Sequence, residues 1–164
     1  MDKADISVLI AYNFWANDRI LKTCERVPVD DFTRAVAPDP GKGSLRGILV
    51  HALDAEIGWR SILQFQQDTP VLDEKDFADI AAVKARWEME RAAWFDYAAG
   101  LSREDLNAHY GDEPAKNPKV WQMIAHVVNH GTQHRSEAAA ILTGYGFSPG
   151  ELDLDLFLKE NPGN

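Results

Sequence analysis

Four long segments of this sequence carry apolar residues at the spacing of an amphipathic helix, and turn-forming residues separate them. The predicted helices are residues 5–26, 44–67, 79–99 and 118–143. Ser44 is a good N-cap for the second helix, and Asn117 and Pro118 suit the cap and first position of the fourth. Gly100 and Gly144 stand where glycines commonly follow the end of a helix. Because no segment has the clear alternation of a strand, we predict an all-α fold, a four-helix bundle.

The remaining segments are short. Residues 102–119 are polar and predicted to be irregular, with a brief extended piece around His109 and Tyr110. The apolar tail, residues 152–158, is predicted to pack back on the helices. With 164 residues and no internal repeat, the chain is predicted to form one domain, residues 1–164.

The composition argues against several classes of protein. The chain has 26 acidic and 17 basic residues, a net charge of −9, so neither nucleic acid nor an anionic membrane is an expected partner. The longest apolar runs are far shorter than a membrane span, and the N-terminus lacks the basic start and apolar run of a signal peptide. We therefore expect a cytoplasmic protein. The single cysteine, Cys24, rules out an internal disulfide and is expected to pack as a small apolar group.

Three histidines recur at every fourth position of the fourth predicted helix. Taking about 100° per residue, His130 and His134 lie within or beside its apolar stripe, whereas His126 lies about 100° from the centre of that stripe. On the second helix, His51 occupies the shoulder of its own stripe. If the two stripes pack together, His51 approaches His130 and His134. Three histidines with an open fourth position are typical of a catalytic metal site.

Several candidate residues also have ordinary structural interpretations. His51 alone would fit a hydrogen-bonded rim residue, and His126 fits a structural or outer-shell position. Glu137 fits a general base, an outer-shell partner of a ligand, or a solvated charge. Imidazoles bind zinc or nickel well, and the lack of a carboxylate in the ligand set disfavours magnesium and calcium. We therefore expect a divalent transition metal, zinc or nickel.

Three blocks of this sequence resemble the DinB/YfiT family of metalloenzymes. They are residues 12–21 with a Trp-Ala-Asn core, residues 43–51 followed by Glu56 and Trp59, and residues 126–135. The blocks stand in the family's order, so the resemblance extends over essentially the whole domain. Members often continue His-Arg-Gly-Gln after the last ligand, whereas this chain continues from His134 with Arg135, Ser136 and Glu137. That difference leaves the ligand positions intact and changes the residues around them.

The resemblance implies a four-helix bundle whose second and third helices are joined by a long crossover. It also implies a metal triad of His51, His130 and His134, with His126 outside it, and binding of zinc or nickel-like ions. Characterised relatives include thiol S-transferases and a mycothiol-dependent maleylpyruvate isomerase. We therefore expect a metal-dependent thiol S-transferase whose partners are a small-molecule thiol and an electrophile, although no catalytic residue can be identified from the sequence.

Two other functions remain open at this level. A metal-dependent hydrolase would use the same open position, and a non-enzymatic stress-response module would hold a structural metal. A structural site would need a fourth protein ligand, for which His126, Glu137 and Asp54 are the candidates.

Some relatives pair as homodimers, and the first helix carries aromatic residues on more than one side, at Tyr12, Phe14 and Trp15. We therefore expect a homodimer. A tail that covers the second apolar face would instead leave a monomer.

Overall fold

The computed structural model describes residues 1–38, 41–113 and 116–163. Its helices are α1 (Lys3–Cys24), α2 (Val29–Thr33), α3 (Leu45–Phe65), α4 (Ile80–Gly100), α5 (Arg103–Asn107), α6 (Val120–Gly144) and α7 (Leu154–Glu160), and a 3-10 turn covers Glu74–Asp76. Over the described ranges there is no strand; two isolated bridges join Ala35 to Ser44 and His109 to Lys119. The predicted all-α class is confirmed.

The four long helices, α1, α3, α4 and α6, form the bundle. Both α1 and α3 pack against α4 and against α6, so the four helices enclose one core. Residues 66–79 connect α3 to α4, and the 3-10 turn in that connection packs on α3. Of the segments described here, no helix is long and apolar enough to cross a membrane.

Local signals predicted the ends of the four long helices to within two residues, and contacts from elsewhere in the chain explain the late start of α6. The Ser44 hydroxyl caps α3 by accepting from the Gly47 amide at 3.0 Å, as predicted. The start predicted at Pro118 is wrong, because Lys119 is extended and bridges to His109, so α6 begins two residues later. The side-chain amide of Asn117, which was predicted to cap the helix, instead donates to the backbone carbonyl of Tyr110 at 2.9 Å. The bridge between His109 and Lys119 confirms the extended piece predicted around His109 and Tyr110. Residues 114 and 115 of the same polar stretch lie outside the described residues.

The other helix ends differ from the prediction by two residues or fewer. Gly100 and Gly144 are the last residues of α4 and α6 rather than the residues that follow them. Helix α3 ends at Phe65, two residues before the predicted end at residue 67, because Gln66 adopts a left-handed conformation with φ 55°. These small shifts leave the predicted helices, and the faces they bury, in place.

The C-terminal tail covers the aromatic side of α1. Phe157 of α7 is buried, with its ring centre 6.0 Å from that of Tyr12 and 5.7 Å from that of Trp15. The Tyr12 hydroxyl also donates to the Leu152 carbonyl at 2.9 Å. The face for which the sequence suggested a second subunit is therefore covered by the chain itself, and the homodimer remains a prediction.

Candidate metal centre

Three imidazoles from two helices converge at the α3–α6 contact. His130 and His134 lie one turn apart on α6, and their ring centres are 4.4 Å apart. The ring of His51, on α3, lies 5.2 Å from that of His130 and 4.7 Å from that of His134. Each histidine offers a nitrogen within 4.8 Å of the others. The structure thus brings together the three residues that the sequence singled out.

The position of the site follows from the apolar stripes of its helices. Val127, Ala138 and Leu142 are buried on α6, and Ile48 and Ala52 are buried on α3. The histidines lie at the edge of this contact: His134 is 5% exposed, whereas His51 and His130 are half-buried. A ligand can therefore reach the cluster from solvent.

The spacing of the donor atoms of His130 and His134 fits a tetrahedral metal. The Nε2 atoms of His130 and His134 lie 3.2 Å apart. Zinc–nitrogen bonds of about 2.0–2.1 Å at a tetrahedral angle would place two such atoms about 3.3 Å apart. Three imidazole donors of this geometry fit a divalent transition metal.

Electrostatics keeps two of the rings in the form that binds metal. Burial, together with the nearby His134 and His51, lowers the pKa of His130 to about 4. Burial and the charge of Lys42 also lower the pKa of His51. Both imidazoles are therefore neutral near pH 7 and keep a lone pair for coordination.

Glu137 orients the third ring. Its Oε2 lies 2.7 Å from Nδ1 of His134. A carboxylate only accepts hydrogen bonds, so Nδ1 carries the proton and the lone pair is on Nε2, which faces His130. Of the roles considered from the sequence, this geometry matches the outer-shell partner of a metal ligand.

Replacing Glu137 by alanine is expected to weaken zinc binding by about 10- to 100-fold, because His134 loses the acceptor that holds its tautomer. Competition with a chromophoric chelator measures the effect. Ser136→Ala is the matched control, since Ser136 is exposed and its hydroxyl donates to the Thr132 carbonyl of its own helix. Equal zinc affinities for Glu137→Ala and wild type would show that this contact does not support the site.

The other candidate ligands lie outside the cluster. His126 is exposed, and its ring packs 5.6 Å from that of Trp59 and 6.0 Å from that of His130. The Asp54 carboxylate accepts from the Leu72 amide at 2.9 Å. Among the residues described, the ligand group around His51 contains no fourth side chain.

Two open cavities lie beside the site, one at His51 and one at Glu137. One, of about 430 Å³, borders His51 and has a charged wall that includes Lys42, Asp54, Asp73 and Glu74. The other, of about 590 Å³, borders Arg34 and Glu137, and the rest of its wall is largely apolar and includes Val36, Ala140 and Ile141. The sequence did not reveal either cavity, because the segments at 34–38 and 71–74 carry no motif and reach the site only through the fold.

Comparisons with known proteins agree with this geometry. The DinB family model matches residues 1–163 of the chain. The chain is also similar to Protein DinB of Bacillus subtilis (strain 168), with 24% identity over 170 residues that cover 93% of this chain and 94% of that protein. Because the family model matches nearly the whole length of the chain, we conclude that this chain belongs to the DinB family.

Proposed function

We propose that this protein is a metal-dependent thiol S-transferase that acts on a small electrophile. The observation that carries the proposal is the convergence of three imidazoles with no fourth side chain in their group among the described residues. A closed set of four protein ligands would favour a structural metal, whereas three ligands leave a position for a reactant.

Different residues of the chain would bind the metal and orient its ligands. His51, His130 and His134 would hold the ion, and Glu137 would keep His134 in the required tautomer. When bound, a divalent ion would lower the pKa of a thiol in this site, so that a thiolate would be available near neutral pH. In the transfer, a sulfur–carbon bond forms, the leaving group departs with its electron pair, and the thiol proton passes to solvent.

The two cavities suit two different reactants. The charged wall beside His51, with groups of both signs, fits a polar low-molecular-weight thiol. The apolar wall beside Glu137 fits the body of an electrophile. A hydrolase would need only one organic substrate, so the presence of two cavities favours the transferase.

Zinc-loaded protein, purified without a histidine tag, is expected to accelerate transfer of at least one thiol onto a fluorogenic electrophile that carries a leaving group. Glutathione, cysteine, bacillithiol and mycothiol form the panel, and free zinc at the same concentration is the reference. Chelation is expected to abolish the rate, and added zinc to restore it. If no thiol exceeds the free-zinc rate, the transferase proposal fails. In that case, ester hydrolysis would support the hydrolase, and inactivity in both assays the non-enzymatic module.

A matched pair of variants tests whether the electrophile binds in the cavity beside Glu137. Ala140→Trp fills the apolar cavity beside Glu137 and is expected to raise KM for the electrophile while the zinc content stays the same. Thr143→Trp adds the same side chain at an exposed position of α6 that does not line this cavity. Equal KM values for the two variants would show that the electrophile binds outside this cavity.

A further inference from the structure

A buried polar network joins all four long helices close to the histidine cluster. At its centre is Glu56 of α3, which is 1% exposed. Its Oε1 accepts from the amides of Asn13 at 2.7 Å and Asn17 at 2.9 Å, both on α1. Its Oε2 accepts from the indole N–H of Trp87, on α4, at 2.7 Å. Every oxygen of the buried carboxylate therefore has a donor.

The fourth helix enters the network through Arg135, which directly follows His134. Its Nη1 donates to the side-chain oxygens of Asn13 at 2.6 Å and Asn17 at 2.9 Å, and its Nη2 donates to Thr132 Oγ1 at 2.9 Å. The two asparagines thus bridge the opposite charges of Arg135 and Glu56, because each donates to the carboxylate and accepts from the guanidinium. Only one arrangement of the two amide groups satisfies both contacts.

Burial opposes both charges. It raises the pKa of Glu56 and lowers the pKa of Arg135, while the opposite charge of each favours the ionised form of the other. Apolar packing tolerates small changes in how helices fit together. A network of directional hydrogen bonds between buried charged groups does not tolerate such changes, because a displaced helix leaves a charged group without its partner.

The histidine segment itself carries a residue that serves this network. A Cβ on Gly131 would lie 2.6 Å from Arg135 Nη1 and 2.8 Å from Asn13 Oδ1. Glycine at this position therefore lets the guanidinium fold back along α6 and reach α1. In the segment from residue 130 to residue 135, the two histidines are candidate metal ligands, and Gly131, Thr132 and Arg135 belong to the polar network.

We infer that the network is a positioning device for the metal centre: it fixes α6 against α3 so that His51 meets His130 and His134 before any ion binds. The inference rests on the proposed metal function. Glu56 lies five residues after His51, and Arg135 one residue after His134, so the network joins the two helices that supply the ligands. Asn13, Asn17, Glu56 and Arg135 are accordingly positioning residues that touch no reactant.

Glu56→Gln tests the inference, because it keeps the shape of the side chain and removes its charge. The matched control is Glu90→Gln. Glu90 is also 1% exposed and pairs with Arg60 at 2.5 and 2.9 Å, but this pair links α3 only to α4. We expect both variants to lower the stability of the apo-protein. Only Glu56→Gln should weaken zinc binding, by about 10-fold or more, at a temperature where circular dichroism shows all the proteins folded.

A second measurement needs no metal. Spin labels at Phe65 and Asn129, which are exposed on α3 and α6, report the distance between these helices in the apo-protein. We expect a single narrow distribution for wild type and Glu90→Gln and a broader one for Glu56→Gln. If wild type binds no zinc, the proposed function fails, and the distance distribution still decides the positioning role.

An unchanged distance distribution or an unchanged zinc affinity in folded Glu56→Gln would overturn the inference, as would an equal zinc loss in Glu90→Gln. If Glu56→Gln does not fold, Gly131→Ala replaces it. Alanine favours the helix but displaces Arg135, so zinc binding should weaken and the distribution broaden. Gly58→Ala on α3 is its control, since an added Cβ there lies 3.7 Å from Thr69 Oγ1, an ordinary van der Waals distance. Wild-type behaviour of Gly131→Ala would equally overturn the inference.

Discussion

Replacing His130 by alanine is expected to lower zinc affinity by about 100-fold or more, a larger loss than that from removing an outer-shell partner. The ring centre of His130 lies 5.2 Å from that of His51 and 4.4 Å from that of His134, and the two imidazoles that remain would hold a divalent ion weakly. Elemental analysis of protein purified without a histidine tag, followed by zinc titration, measures the loss. Wild type should carry about one ion per chain.

Two histidines outside the cluster provide controls for that measurement. His109→Ala removes an exposed histidine of the polar stretch, and His126→Ala removes the exposed histidine one turn before His130. Both variants should retain wild-type zinc content. Saturation with zinc at about 100 times its Kd should also stabilise wild type by about 2.7 kcal/mol and His130→Ala hardly at all. A wild-type protein that neither carries nor takes up stoichiometric metal would contradict the proposed site.

Trp94→Ala is expected to lower the free energy of unfolding by about 3–5 kcal/mol, because it removes a large side chain from a closely packed core. Trp94 is 2% exposed, its ring centre lies 6.0 Å from that of Tyr97, and its indole N–H donates to the Glu56 carbonyl at 3.2 Å. Urea unfolding of the apo-protein, followed by circular dichroism, measures the change.

The control for this prediction lies on the same helix. Met89 of α4 is 67% exposed, so Met89→Ala should change stability by no more than about 0.5 kcal/mol. A loss below about 1 kcal/mol for Trp94→Ala would mean that the core does not close around this indole as the structure has it.

The helices and part of the site could be predicted because both follow from short-range geometry. An apolar residue every third or fourth position identifies a helix from its own segment, and caps such as Ser44 and Asp79 act on amides three residues away. The pairing of His130 with His134 is equally local, since residues four apart on a helix share a face. Asn117 misled the prediction because its side chain bonds to Tyr110, a contact that depends on how the polar stretch folds.

What depended on packing became visible only in the folded chain. The approach of His51 to α6 requires two helices, about eighty residues apart in the chain, to meet in one particular register. The tail covers Tyr12 and Trp15 because Phe157 packs on their rings. The sequence alone did not decide whether the tail or a second subunit covers this face. The polar residues at positions 13, 17, 56 and 135 are plain in the sequence, but only the fold shows that they form one network. Local patterns set which helices form and which faces they bury, whereas long-range contacts decide which of those faces meet.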